Sequence, residues 1–182
     1  GGSGADVGSD VVRPVVVDSW RRSTAAGINP DHHLAPRVHD PATVIEYRSE
    51  HLLSQVFPLL YDVLGRAAVD CDAVMAVGDA SGELLWVCGS SSVLRSADRI
   101  NFVEGSTWSE SAAGTNAPGV ALHLGLPAIV RGGEHFSRLV HRWSCAAAPI
   151  HDPVTGRILG VVDITGGDSV ASPQSLAMIH AA

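Results

Sequence analysis

Ser144-Cys145-Ala146-Ala147-Ala148-Pro149-Ile150, then His151-Asp152-Pro153-Val154-Thr155-Gly156, then Arg157-Ile158-Leu159-Gly160-Val161-Val162-Asp163-Ile164 is the stretch that decides the fold. Two apolar runs of strand length flank six residues rich in turn formers. Strands joined by so short a link must run antiparallel, because a parallel crossover needs a dozen or more residues. A second pair repeats the pattern upstream: Ala73 to Val77 and Leu84 to Cys88 lie on either side of Asp79-Ala80-Ser81-Gly82, a hairpin turn with glycine where a positive φ is cheap. Pro127 to Arg131 supplies one more strand. Five strands with two hairpins predict an antiparallel sheet in an α+β architecture, not a parallel α/β one.

Helical periodicity fills the intervals. Arg13 to Thr24 carries an apolar face at Val16, Val17 and Trp20, with Pro14 in the first turn. Gly27 to Pro41 holds three prolines and reads as an extended connection. Asp40-Pro41 is a good helix start. From it a helix is expected to run to about Val69, with Leu52, Leu53, Val56, Leu60, Val63, Leu64 and Ala67 along one stripe and a kink at Pro58. Shorter helices are expected over Ser92 to Arg99, Asn116 to His123 and Glu134 to His141, and another opens at Pro173.

Composition limits the function classes. The 182 residues suit one domain with a proper core. A net charge of −7, with arginine supplying all 12 basic side chains, makes this chain a poor candidate for a nucleic-acid binder, which needs clustered positive charge to track phosphates. No apolar run approaches the ~20 residues of a membrane span. Cys71, Cys88 and Cys145 are odd in number and lack C-x-x-C spacing. That pattern favours reduced thiols in a cytoplasmic protein over a disulfide framework or a structural zinc site. Residues 1–10 read as a vector-derived scar and a disordered lead-in.

The chemistry-bearing residues gather after Trp108. Trp108-Ser109-Glu110 and Gly114-Thr115-Asn116 enter a helix, where free backbone amides suit a carboxylate, carbonyl or hydroxyl. Thr115 and Asn116 can equally cap that helix, and Trp108 can be core. Glu110 is a ligand contact or half of an internal pair with an arginine or histidine, since a buried glutamate needs a partner. In Gly132-Gly133-Glu134-His135-Phe136, a neutral His135 can donate and accept inside a cavity. Trp143-Ser144-Cys145 places Trp143 and Cys145 on one strand face. Cys145 is there a small hydrophobe, or a redox- or metal-responsive thiol. His32, His33 and His39 cluster in a proline-rich loop but lack metal-ligand spacing, so solvated side chains are expected. Asp163 lies within a late strand, functional or bonded to a neighbouring loop. No nucleophile–base–orienter set is visible, so no enzymatic activity and no catalytic residue is assigned.

Taken together, W-S-E-x-x-x-G-T-N, G-G-E-H-F and W-S-C-A-A-A-P-I-H-D-P-V-T-G-R-I-L-G-V-V-D-I-T-G resemble the GAF sensory domain at the front of bacterial transcriptional activators of acetoin and glycerol catabolism. The likeness reaches back to Ser19-Trp20 and Gly27-Ile28-Asn29-Pro30. It implies a GAF-like central sheet of order 2-1-5-4-3 flanked by helices, preceded by an N-terminal helical extension. Residues 11–71 would form that extension, 72–171 the sheet and ligand pocket, and 172–182 the start of a linker helix. It implies a small organic effector, with Trp108, Glu110, Thr115, Asn116, His135, Phe136, Trp143 and Cys145 as candidate contacts, and neither cofactor nor metal. A homodimer paired through terminal helices is expected, with DNA and RNA polymerase contacted only by domains outside this chain. The alternatives are a redox or metal sensor acting through Cys145 and a ligand-free dimerisation module.

Overall fold

The computed structural model describes residues 12–182, so the expectation for residues 1–10 lies outside the described part. Strands β1 (Val74–Asp79), β2 (Leu84–Gly89), β3 (Ala128–Arg131), β4 (Ser144–His151) and β5 (Ile158–Gly166) form one sheet of order β2-β1-β5-β4-β3. Every pairing is antiparallel. This is the expected GAF-like α+β sheet. The two sequence-local hairpins are joined at its centre by β1 against β5, with Ala76 opposite Asp163 and Val74 opposite Thr165. Helices α1 (Pro14–Ala25), α2 (Pro41–Glu50), α3 (Phe57–Leu60), α4 (Arg66–Asp70), α5 (Ser91–Asp98), α6 (Glu110–Ala113), α7 (Ala117–Leu124) and α8 (Pro173–Ala181) surround it.

Strand alternation gives the two faces different coverings. On one, Met75, Val77, Ala146, Ala148, Val162 and Ile164 pack with Leu60, Leu64, Ala68 and Ile179 in a single apolar cluster. Trp86 closes that face, stacked on Phe57 at 4.6 Å between centroids, with the Arg48 guanidinium 5.8 Å from its ring. The other face meets two separate clusters. One joins Val74 and Ala76 to Trp108, Phe102 and Ala113; the other joins Cys145, Ala147 and Val161 to Ala117, Val120 and Ala121. Asp163 stands in register between Ala76 and Ala147, at the seam.

Three expectations need correction. The single helix over residues 41–69 is broken. His51 is extended (φ −75°, ψ 142°), and its ring Nδ1 accepts from the Leu53 N–H to start a new 3₁₀ turn. Pro58 falls in the first turn of α3, where no N–H is required, so it begins a helix and does not kink one. Tyr61–Gly65 then widens into a π turn. The Tyr61 ring lies where a Cβ on Gly65 would sit, 2.6 Å away, so only glycine lets this ring fold back. The helix expected over residues 134–141 is replaced by 3₁₀ turns at Gly132–Glu134 and Arg138–Val140, separated by an extended His135 (φ −61°, ψ 139°) whose ring turns inward. Finally, the buried face of α1 is Val16, Ser19 and Ser23, two of the three polar, while Val17 and Trp20 are only partly covered.

Candidate functional site

The loop from Trp108 to Asn116 is fixed from below by the first hairpin, the Trp108 N–H donating to Gly82 O at 2.8 Å. The Trp108 ring is core: it sits edge-on to Phe102, and its Nε1–H is shared by Asn101 O and Ser106 Oγ, each at 3.2 Å. Glu110 is 8% exposed and has an internal partner. Arg22 donates to both of its oxygens, through Nε to Oε1 and through Nη2 to Oε2 at 3.0 Å. Ser19 Oγ donates to Glu110 Oε2 at 2.7 Å and lies 2.6 Å from Thr115 Oγ1, which in turn is 3.2 Å from Ser23 Oγ. Helix α1 is thus tied to the loop through one buried polar knot. Asn116 caps α7, accepting from the Gly119 N–H at 2.8 Å and donating to Gly114 O. Thr115 takes no part in that cap. Gly114 has φ +78° and ψ −173°, and a Cβ there would lie 2.9 Å from Phe136 Cβ. The G-T-N turn therefore presses directly on the half-buried Phe136, whose N–H donates to Thr115 O.

His135, Cys145, Thr165 and Asp163 form a second buried row on the same sheet face. Cys145 pairs with Thr165 across β4 and β5, and Ala147 with Asp163 two residues on. The His135 ring is 2% exposed, with Nδ1 3.0 Å from Gly132 O and Nε2 3.5 Å from Cys145 Sγ. Thr165 Oγ1 lies 3.0 Å from that sulfur and 2.5 Å from Asp163 Oδ2. Among the described residues, Asp163 Oδ1 is buried without a partner. Burial sets the charge state of all three titratable groups. It pulls His135 down to about 4, against the Gly132 carbonyl, which favours the protonated ring. It pushes the Cys145 thiol well above its ordinary range, with Asp163 acting in the same direction. It lifts Asp163 to about 8, against the Thr165 hydroxyl. At neutral pH the row carries imidazole, thiol and carboxylic acid, all uncharged. A thiol held so far from ionisation is a poor nucleophile and a poor metal ligand.

Trp143 precedes β4, half-buried against the Trp108 cluster, so the two tryptophans belong to one face. Its outer side lines a surface cleft of about 370 Å³ with Arg99, Arg142 and Ile100. Of the loop histidines, His33 Nε2 bonds Ala112 O and is anchored, whereas His32 and His39 are exposed as expected, His39 with its Nδ1 2.8 Å from Glu83 Oε1. Among the described residues no three His, Cys, Asp or Glu side chains gather as a metal site. Glu134, ligated by Arg13 and by the Arg131 N–H, is structural; burial alone would raise its carboxyl, but these donors outweigh it and hold it below its ordinary value.

The structure thus gathers the candidates in two knots, Glu110–Thr115 and His135–Cys145, and leaves Trp108 and Asn116 with local structural bonds. Sequence reading missed Arg22, Ser19, Ser23 and Thr165. Ser19 and Ser23 are spaced i, i+4 beside Val16, a signal hidden by the apolar periodicity of Val17 and Trp20. Thr165 follows Asp163 at the strand's period of two, which marks both as facing one side.

Known proteins resemble this chain in sequence and in fold. A Rhodococcus erythropolis protein described as an uncharacterized 47.3 kDa protein in the thcA 5' region is 48% identical over 170 residues, covering 93% of this chain and 39% of that protein. The acetoin dehydrogenase operon transcriptional activator AcoR of Bacillus subtilis (strain 168) is 36% identical over 172 residues, covering 93% and 28%. The chain therefore spans well under half the length of these relatives. In the crystal structure of the E. coli DhaR(N)–DhaL complex, one chain matches with a TM-score of 0.79 at 20% identity, over 93% of this chain and 58% of that one, which shows a common fold. The family described as "MimR, N-terminal domain" matches residues 2–182, and the chain belongs to that family.

Proposed function

We propose that this chain is the effector-sensing domain of a transcriptional activator and that it encloses a small organic molecule on the sheet face roofed by α5, α6, α7 and the loops around residues 108–116 and 132–143. The observation that carries this reading is the buried polar row ending in the unpartnered Asp163 Oδ1. A purely structural core rarely keeps an unpaired acceptor at its centre. Helix α1 reports on the roof through Arg22–Glu110, and α8 on the opposite sheet face through Ile179. Differential affinity of the effector for two arrangements of these helices would supply the switch, at a typical coupling of ~1–3 kcal/mol. Contact with DNA and RNA polymerase would belong to other parts of a longer, cytoplasmic protein.

Native mass spectrometry of the chain purified from its own cells tests the reading. A stoichiometric small-molecule adduct is expected; its absence from material shown to be folded counts against enclosure. Self-association through the terminal and α3–α4 helices is part of the same proposal, because Leu52, Val56, Leu59, Tyr61 and Val63 remain exposed there. Analytical ultracentrifugation at tens of micromolar should find dimer, and monomer alone would refute pairing by this domain.

A further inference from the structure

We propose that Asp163 anchors the effector and that the effector is a small neutral compound bearing a hydroxyl, which donates its proton to Asp163 Oδ1. This rests on the sensing reading above and narrows it to one chemical class.

The row has a fixed number of protons to share. His135 Nδ1–H donates to Gly132 O, which leaves Nε2 as an acceptor. Cys145 S–H is the group in reach of Nε2. Thr165 Oγ1 touches both Cys145 Sγ and Asp163 Oδ2, yet a hydroxyl has one proton to give. If that proton goes to Asp163, the Thr165–Cys145 contact can be filled only by turning the thiol away from His135, and Nε2 is left empty. One arrangement fills every contact: Asp163 Oδ2–H to Thr165, Thr165 O–H to Cys145, Cys145 S–H to His135, His135 Nδ1–H to Gly132 O. It requires Asp163 as the acid, the form that its burial favours. The chain of donors then ends in one open group, the carbonyl oxygen Oδ1, which is an acceptor.

An acceptor selects its guest. A ketone, an ether or a carboxylate brings only lone pairs to it. An ammonium group could donate to it but would bury a positive charge beside a neutral acid. A neutral hydroxyl completes it. Ala76 and Ala147 flank Asp163 in register and add only methyl groups, so the wall beside the carboxyl is apolar.

The test uses the 182-residue chain and four probes on one carbon skeleton, 2-butanol, 2-butanone, butyrate and sec-butylamine, with affinities from ligand-observed NMR titration. The alcohol is expected to bind at least about 10-fold more tightly than the others, the usual consequence of one unmade hydrogen bond. Asp163→Asn keeps Oδ1 and gives Thr165 an N–H in place of the acid proton, so it should hold the alcohol within about threefold. Asp163→Leu, with its folded state checked by circular dichroism, should lose it by about 10-fold or more. Butanone, butyrate or the amine binding as well as the alcohol overturns the inference. So does an Asn variant as damaged as the Leu variant, or no binding by any probe. The sensing reading stands or falls separately, on the native mass measurement.

Discussion

Replacing Arg22 by alanine tests whether α1 is held to the roof by charge. In the folded chain the Glu110 carboxylate is 8% exposed and its arginine partner 33%. Arg22→Ala leaves that carboxylate buried with the Ser19 hydroxyl as its one side-chain donor. Removing one member of a buried pair costs ~3–5 kcal/mol. A third of this arginine is in water, and solvent screening reduces the figure to about 2 kcal/mol. For a domain of this length the melting midpoint should then fall by about 4–8 °C. Thermal unfolding followed by circular dichroism reads it. Adding Glu110→Gln should restore about half the loss, because a neutral amide is cheaper to bury than an unpaired charge. A fall below about 1 °C, or a double variant as unstable as the sum of the singles, refutes the reasoning and makes the pair ornamental.

Asp163 and His135 make the stability of the fold depend on pH in opposite senses. An acid raised to about 8 binds its proton more tightly in the folded state, so its contribution is complete below its unfolded value and drains away as pH rises through 8. An imidazole lowered to about 4 contributes above 6.5 and loses that contribution as pH falls through 4. Between these limits the two slopes cancel; from pH 6.5 to 8 a net loss of about 2 kcal/mol remains. Urea unfolding across that range should show the loss in the parent and not in Asp163→Asn, and identical profiles would refute the assignment. Of the three thiols, exposed Cys71 should react first with iodoacetamide and buried Cys145 only on unfolding; peptide mapping that finds equal rates would contradict its burial. Gly114→Ala forces a side chain into a backbone region open essentially to glycine and against Phe136, at a cost of about 1–3 kcal/mol from the backbone alone. Chemical denaturation that finds it neutral would mean the turn can relax.

The sheet was legible because both hairpins are local: each couples strand-length apolar runs across a turn, and the pairing register follows from the turn. The order of the five strands came from resemblance, since β1 against β5 joins residues about ninety positions apart and no local rule fixes it. Helix boundaries failed where a side chain, not the backbone pattern, decided them. His51 caps a new turn with its ring, Tyr61 folds over Gly65, and His135 leaves its helical path to bury its imidazole. Each act depends on a partner invisible in a periodicity count. For the same reason the candidate site was half legible. Glu110 announced that it needed a counter-charge, but not that Arg22 would supply it from a helix 88 residues upstream. Asp163 stood out in an apolar strand, whereas Thr165 became informative only when register set it beside Cys145.

Strand β5 presents Asp163 to one side of the sheet and its immediate neighbours Val162 and Ile164 to the other, where they lie in the same apolar cluster as Ile179 of α8. A polypeptide in extended form is nearly inextensible along its length, and its alternate side chains share one backbone. Tension applied to the carboxyl would therefore be delivered behind the sheet within the thickness of a single strand, with no relay of intervening residues. The centre of the sheet is also the shortest lever connecting its two faces.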